Sequence, residues 1–471
     1  MDLRTGVAMF EPAEGLTRLV TFPFALLSYV GDDGYPVSAA LDAEVNVETG
    51  TASFAPPAGL SVPLEREISL TGSHIRPRPG YGYDERRHVT VWGRAATVAD
   101  GRLALRATAA WGWDEASIPF PEYVERQVGQ SRRYLARLSA ELGRPVRPRL
   151  SLGWLTLRAT RLPFLSATFI PVLVGLAIAL LHFGPAFDLV AALLTLIGAT
   201  AVHLGLNVAN DVFDARLGAD EKNVNPTQYS GGSRVIQYGL VSLRDMAFIS
   251  IAMYAIAIGV GLVLLLTRFS LELLAIGAAG ILLSFFYTAP PLKLVYRGLG
   301  EIVVGLGFGP IMLLGAYVVQ SGGAVPLEPV IASIPIGLLV ALILYVNEVP
   351  DRPADARAGK RTLPVRLSRP AVVNLYLGAA LAAFAVIAVG VIVGVLPIPA
   401  LVALLGLPLV RRVHEGLQRY YESPYGLMAI MAVNIRVHVV VGGLLLLAYV
   451  VVIALAALAP GVPLFLPDLL R

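Results

Sequence analysis

Asn207-Val-Ala-Asn210-Asp211-Val-Phe-Asp214 closes one apolar stretch long enough to cross a bilayer, and Asn347-Glu-Val-Pro-Asp351-Arg-Pro-Ala-Asp355 closes another. Carboxylates crowded beside hydrocarbon are costly unless something neutralises them. Several at the ends of two separate spans point to shared divalent cations and a metal-diphosphate site at a membrane face. In the first cluster Asn207, Asn210, Asp211 and Asp214 stand three or four apart, so a helix continuing through them puts all four on one face. Asp220 follows in what reads as a loop. In the second, Asn347, Asp351 and Asp355 repeat at four-residue steps, but Pro350 and Pro353 predict an interrupted helix, with a break at Val349 and a new turn from Pro350. Asn and Asp are also common caps and loop residues, and one cluster alone carries that structural reading. Capping does not need two parallel clusters, each followed by a basic, Gly-containing loop: Ser230-Gly-Gly-Ser-Arg234 after the first and Gly359-Lys-Arg-Thr362 after the second.

The rest of the chain is read around those clusters. Of 471 residues, 56% are hydrophobic and 15% charged. With a mean hydropathy of +0.69, that is too apolar for an ordinary soluble enzyme and marks an integral membrane protein. A net charge of +4 argues for no nucleic-acid partner. Zero cysteines exclude disulfides and thiol chemistry. The amino terminus, Met1-Asp-Leu-Arg-Thr-Gly-Val, has no basic region followed by an apolar core, so no cleavable signal is expected.

Residues 1–145 alternate short apolar and polar runs, 146–161 lie in a bridge rich in Arg and Pro, and long apolar segments fill 162–471. The expected fold is an all-α polytopic membrane bundle of about nine transmembrane helices, preceded by a small soluble β-barrel domain. The expected spans are Leu162–His182, Phe187–Asn210, Met246–Thr267, Leu271–Thr288, Gly298–Gln320, Pro329–Asn347, Ala371–Leu396, the short Pro397–Val410, and Ala429–Leu458. Lys and Arg concentrate in alternate loops: Arg216, Lys222, Arg234 and Arg244 after the second span, and Arg352, Arg357, Lys360, Arg361, Arg366 and Arg369 after the sixth. The positive-inside rule then puts both clusters and the amino-terminal domain on the cytoplasmic side of the cell membrane.

Asn210-Asp-Val-Phe-Asp214, the loop Asn225-Pro-Thr-Gln-Tyr-Ser-Gly-Gly-Ser-Arg-Val-Ile236, Tyr287-Thr-Ala-Pro-Pro-Leu-Lys293, and Asn347 through Leu363 together resemble the UbiA superfamily of intramembrane aromatic prenyltransferases. The Gly-Gly-Ser-Arg-Val loop and the Ala-Gly-Lys-Arg-Thr-Leu tail are most similar to the menaquinone-pathway branch, which prenylates 1,4-dihydroxy-2-naphthoate. Pro353 departs from the family pattern. The resemblance implies two Asp-rich motifs that bind Mg2+ and an isoprenyl diphosphate. It assigns Asp211, Asp214, Asp351 and Asp355 as catalytic, and adds Asp220 as a further metal ligand. The expected substrate contacts are Asn207, Asn210, Lys222, Arg234, Tyr287, Asn347, Lys360 and Arg361. Magnesium would help the allylic carbon–oxygen bond ionise, and an electron-rich aromatic acceptor would attack the cation. Phe213, Phe286 and Tyr287 are candidates to line an apolar chamber, and Asn434, Arg436 and His438 could face it or merely sit near a helix end.

In the amino-terminal part, Phe24–Val30, a Gly31-Asp-Asp-Gly34 turn, Tyr35–Leu41 and His88–Val98 read as strands. With a terminal helical segment near Pro121–Leu142, they resemble the pyridoxamine-phosphate-oxidase-like split barrels that often bind FMN and pair as homodimers. Arg66, Arg76, Arg78, Arg86 and Arg87 are the candidate phosphate contacts, and a degenerate barrel without flavin stays open. Three other functions remain as alternatives: the same transfer to a tetrapyrrole or glycerol phosphate, a transporter, and a membrane-tethered flavin oxidoreductase. Coupling-ion residues of a transporter are expected near the midplane, not at span ends.

Overall fold

The computed structural model describes residues 9–32, 35–77, 83–118, 161–223, 227, 229–459 and 461–469, with isolated positions between 120 and 159. The chain separates into two compact units, Met1–Arg147 and Pro148–Arg471.

The first unit is a curled antiparallel sheet. Its strands are β1 (Met9–Phe10), β2 (Ala25–Val30), β3 (Pro36–Leu41), β4 (Ala43–Asn46), β5 (Thr51–Phe54), β6 (Ile68–Pro77), β7 (Tyr83–Thr97) and β8 (Leu103–Asp114), with helix α1 (Pro12–Leu19) after β1. The order is β3-β2-β6-β7-β8-β5-β4, with β1 also on β8. Among the described residues no ladder joins the edge strands β3 and β4, and the curled sheet is a half-barrel, consistent with a split barrel. Alternation explains it: Leu27, Leu70, Val89, Val91 and Leu105 point inward onto Leu16 and Leu19 of α1. The segment near Pro121–Leu142 lies mostly outside the described residues.

The second unit is helical: α2 (Ser166–Phe183), α3 (Leu189–Leu217), α4 (Leu243–Thr267), α5 (Leu271–Phe286), α6 (Gly300–Ser321), α7 (Leu327–Ala358), α8 (Arg369–Ile392), α9 (Leu407–Tyr420) and α10 (Pro424–Leu458). Among the described residues seven helices are long and apolar enough to cross a bilayer, all except α5 and α9. The expected span Leu271–Thr288 is the shorter helix α5. The expected span Pro397–Val410 is not one α-helix: a 3-10 segment, Ile398–Gly406, leads into α9, whose Arg411, Arg412, Glu415 and Arg419 make one side polar. Large apolar side chains such as Phe248, Leu266 and Phe269 remain exposed, the surface that hydrocarbon covers in a membrane protein.

The core is built around α7. Ile336, Leu339, Val340 and Tyr345 pack against Val372, Tyr376 and Ala383 of α8, Val437, Val441 and Tyr449 of α10, and Val174 and Ile178 of α2. Small residues set the close crossing of α6 on α7: a Cβ on Gly309 would lie 2.6 Å from the Cα of Gly337, and one on Gly337 would lie 2.5 Å from the carbonyl oxygen of Gly305. At the end remote from the two motifs, Glu328 of α7 accepts from Tyr449 at 3.0 Å and pairs with His182 at 2.7 Å, and His182 also meets Tyr317 at 2.8 Å.

The interruption expected at Val349 does not occur. The helix runs unbroken from Leu327 to Ala358 through Pro350 and Pro353. Each proline removes one backbone donor and costs about 3 kcal/mol in a helix interior. Packing and tertiary bonds on this last stretch offset that: Asp351 accepts from Asn223 and from the Gly231 amide, both at 2.9 Å, and Arg352 stacks 3.8 Å over Tyr421 while pairing with Glu422. Gly359, at φ 79°, ends the helix in the left-handed conformation.

Gly337→Leu is expected to push α6 off α7 and to cost about 1–3 kcal/mol through overpacking. This would be read as a lower thermal aggregation midpoint in detergent. An unchanged midpoint would show that the crossing tolerates a side chain.

Candidate active site

Helix length brings the two motifs to one level. About 20 residues span a hydrocarbon core about 30 Å thick, so counting from Leu189 and from Leu327 leaves the last turns of α3 and α7 protruding past it. Helices α4, α5 and α6 intervene, so α7 returns in the direction of α3 and the two carboxylate-bearing ends meet.

The end of α3 stays helical through Leu217, so Asn207, Asn210, Asp211 and Asp214 do share a face. Asp214 sits among donors: Tyr296 at 2.7 Å, Lys360 at 2.9 Å and Asn210 at 3.3 Å. Thr288 donates to Asn210 at 2.6 Å. Asp211 pairs with Arg161 and faces the Ser233 amide at 3.3 Å. Asp220 lies on a short helical turn, Ala219–Lys222, not in a loop, and accepts from Gln237 at 3.1 Å. Burial, then the neighbouring Asp214 and Asp211, push its carboxyl well above the usual carboxylate range.

From α7, Asp351 is held by Asn223 and Gly231, and Asp355 lies 3.9 Å from Lys360. Lys360 therefore bridges the motifs. Burial alone would discharge it, but Asp214 and Asp355 keep its ammonium well above the ordinary value. The same balance holds for Arg161, which burial opposes and Asp211, Asp220 and Asp214 sustain.

These groups enclose a polar cavity of about 180 Å³ that contains five acids, Asp214, Asp220, Glu348, Asp351 and Asp355, against two bases, Arg161 and Lys360. An apolar chamber of about 500 Å³ lies beside it, lined by α3, α4, α5 and α6. His203, Leu206, Tyr287, Val304 and Phe308 belong to both walls, so the two spaces adjoin. The wide π-turn Gly307–Ile311 within α6 carries Phe308 into that shared wall.

Of the residues singled out in the sequence, Asn207, Asn210, Asp214, Asp220, Tyr287, Asn347, Asp351, Asp355 and Lys360 line the polar cavity. Asp211 stands behind its wall on Arg161 and the Ser233 amide. Lys222 reaches the Arg357 carbonyl at 3.1 Å, Arg234 is buried against the carbonyls of Asp220 and Asn223, and Arg361 is exposed; none of the three lines the cavity. Phe213 and Phe286 pack on Phe285 and line neither space. Asn434 binds the Leu342 carbonyl and Tyr376, His438 the Ser166 carbonyl, and Arg436 is exposed, so this trio serves helix packing and surface. In the first unit Arg66 pairs with Asp32, Arg76 with Asp84 and Glu85, and Arg86 with Glu115; Arg87 lies over Phe22, and Arg78 is outside the described residues.

Sequence reading missed Arg161, Asn223, Tyr296 and Glu348. Glu348 had a signal, an acid inside a quoted motif at the edge of hydrocarbon. The others are polar residues outside the long helices, Tyr296 on the 3-10 turn Leu294–Arg297, and only folding places them.

The sequence model of the UbiA prenyltransferase family matches residues 168–434, more than half of the chain. The 1,4-dihydroxy-2-naphthoate octaprenyltransferase of Mycobacterium tuberculosis is 36% identical over 189 residues, 40% of this chain and 61% of its own. Its Bacillus subtilis counterpart is 27% identical over 225 residues, 48% of this chain and 70% of its own. Among solved structures, a UbiA homolog from Aeropyrum pernix is similar at 19% identity with a TM-score of 0.46, covering 60% of this chain and 97% of that one. The chain is an integral membrane prenyltransferase and belongs to the UbiA prenyltransferase family.

Proposed function

We propose that this prenyltransferase moves an isoprenyl group from an allylic diphosphate to an aromatic acceptor of the dihydroxynaphthoate kind, with Mg2+, at the cytoplasmic face of the cell membrane. One observation carries the reading: a polar cavity bounded by both motifs adjoins an apolar chamber, a shape suited to a ligand with an anionic head and a hydrocarbon tail. Two relatives named for transfer to 1,4-dihydroxy-2-naphthoate support the acceptor class. The basic loops after α3 and α7 support the orientation.

The donor set fits magnesium. Asp214, Asp351 and Asp355, from both motifs, present hard carboxylate oxygens to one cavity. Among the described residues no three acidic or histidine side chains form a closed metal cage. That suits Mg2+, which is commonly held by one or two carboxylates with substrate phosphate oxygens completing the shell. Asp214, Asp351 and Asp355 would hold it, and when bound it would stabilise charge on the departing diphosphate.

The chain's own groups do the rest. Lys360 and Arg161 already lie at the carboxylates, where their positive charge faces an incoming diphosphate. The apolar chamber keeps water from the allylic cation as the carbon–oxygen bond breaks, pyrophosphate departs, and the ring carbon that bonds to the cation gives up its substituent, a proton or a carboxylate leaving as CO2. The rings of Tyr287 and Phe308, on the boundary of the two spaces, offer π-faces worth about 0.5–2 kcal/mol each to a cation.

Asp351→Asn and Asp214→Asn are each expected to lower turnover by about two to three orders of magnitude, the loss typical of a removed electrostatic group. Glu422→Gln, on the exposed partner of Arg352, should stay near wild type. Pyrophosphate release from membranes supplied with geranylgeranyl diphosphate measures this, and near-normal Asp variants would remove those positions from the site. EDTA is expected to abolish release and excess Mg2+ to restore it. In the same assay 1,4-dihydroxy-2-naphthoate should support transfer and glycerol phosphate should not; the reverse outcome would overturn the acceptor class.

A further inference from the structure

Glu348 is left over by the reading above. It is 6% exposed and stands in the cavity wall, on the turn of α7 that precedes Asp351. Its Oε2 has no hydrogen-bond partner, and neither has Oδ1 of the adjacent Asn347, which is 8% exposed. The Glu348 carboxyl group neighbours that of Glu301 on α6, whose Oε1 accepts from the Leu363 amide at 2.9 Å. The carboxyl is thus buried at the cavity wall with one oxygen unused. Buried acceptors without donors are uncommon and costly, and two side by side at a cavity wall suit a ligand that carries a hydroxyl.

Depth decides what Glu348 can reach. It precedes Asp351 by three positions and Asp355 by seven, so at about 1.5 Å per residue it lies roughly 4.5 Å and roughly 10 Å closer to the hydrocarbon. Tyr287, Leu344 and Phe308 share its wall, and two of these, Tyr287 and Phe308, border the apolar chamber. A diphosphate held by the Asp motifs has its allylic carbon on that inner side. The partner that attacks this carbon must arrive at the level of Glu348.

We propose that Glu348 orients the aromatic acceptor: its Oε2 accepts a hydrogen bond from a ring hydroxyl and so aims the neighbouring ring carbon at the allylic carbon. This rests on the prenyl-transfer reading and adds to it the group that recognises the hydroxyarene. Glu348 touches substrate in this role and holds neither the metal nor the diphosphate.

The test is binding to the full chain in detergent with Mg2+. The probes are 4-hydroxy-2-naphthoate, whose hydroxyl its own carboxylate cannot reach, and 2-naphthoate, which lacks that hydroxyl, with geranyl diphosphate as a separate ligand. Wild type is expected to prefer the hydroxyl compound by about tenfold, the effect of one hydrogen bond to a carboxyl group. Glu348→Leu should bind the two naphthoates alike, whereas Glu348→Gln, which keeps a carbonyl acceptor, should retain part of the preference. Both variants should hold geranyl diphosphate within about threefold of wild type, showing a folded site with its diphosphate half intact. The proposal is overturned if Glu348→Leu keeps the preference, if wild type has none, or if diphosphate affinity falls in parallel in both variants. Pyrophosphate release by wild type judges the transfer reading separately. A chain that releases none sinks that reading, while the hydroxyl preference still decides the role of Glu348.

Discussion

Negative charge gathered at the C-terminal ends of two apolar helices is the constraint to which the rest of the site responds. A helix C-terminus already carries negative partial charge, so Asp211, Asp214, Asp351 and Asp355 stand where the helix dipole works against them. They cannot be there as caps, which favour acids at the opposite end. Positive charge has to reach them, and two turns of the chain deliver it. Gly359 takes the left-handed conformation that ends α7 and turns Lys360 back onto Asp214 of the other motif. The segment before α2 delivers Arg161 to Asp211. Backbone amides of Gly231 and Ser233 complete the set, from a loop whose Gly231 and Gly232 both have positive φ.

Helix length then separates two environments that the chemistry needs side by side. The same helices are apolar over the depth of a bilayer and polar in their final turns, so a polar cavity and an apolar chamber share a wall. The dividing residues come from α3, from Tyr287 just after α5, and from α6 at Val304 and at Phe308 of its π-turn. Their position follows from packing: Gly305, Gly309 and Gly337 allow α6 to approach α7 closely, which brings Phe308 and Glu301 toward the motif end of α7.

Local rules failed where tertiary contacts outweighed them. Pro350 and Pro353 favour a broken helix, and in isolation would give one. In the folded chain Asp351, Arg352 and Gly359 are each held by groups distant in sequence or by a favourable terminating conformation, and the helix continues. The short apolar stretch Pro397–Val410 failed in the opposite sense, since its end belongs to the amphipathic helix α9.

The sequence alone determined the membrane class, the order of apolar helices, the strand-rich amino-terminal unit and the two acidic motifs with the lysine that follows the second. Those features are local: hydrophobic run length, alternation, and acids at spacings of three and four residues. Tertiary structure decided which charges meet. Arg161, Asn223 and Tyr296 are unremarkable in their own neighbourhoods, yet each donates to a motif carboxylate 50, 128 or 82 residues away. Lys222, Arg234 and Arg361 look equally suitable in sequence and are turned to carbonyls or solvent. A charged side chain acts over a few ångströms in a partly buried site, and whether it comes within that range depends on how helices pack, not on the residues beside it in the chain.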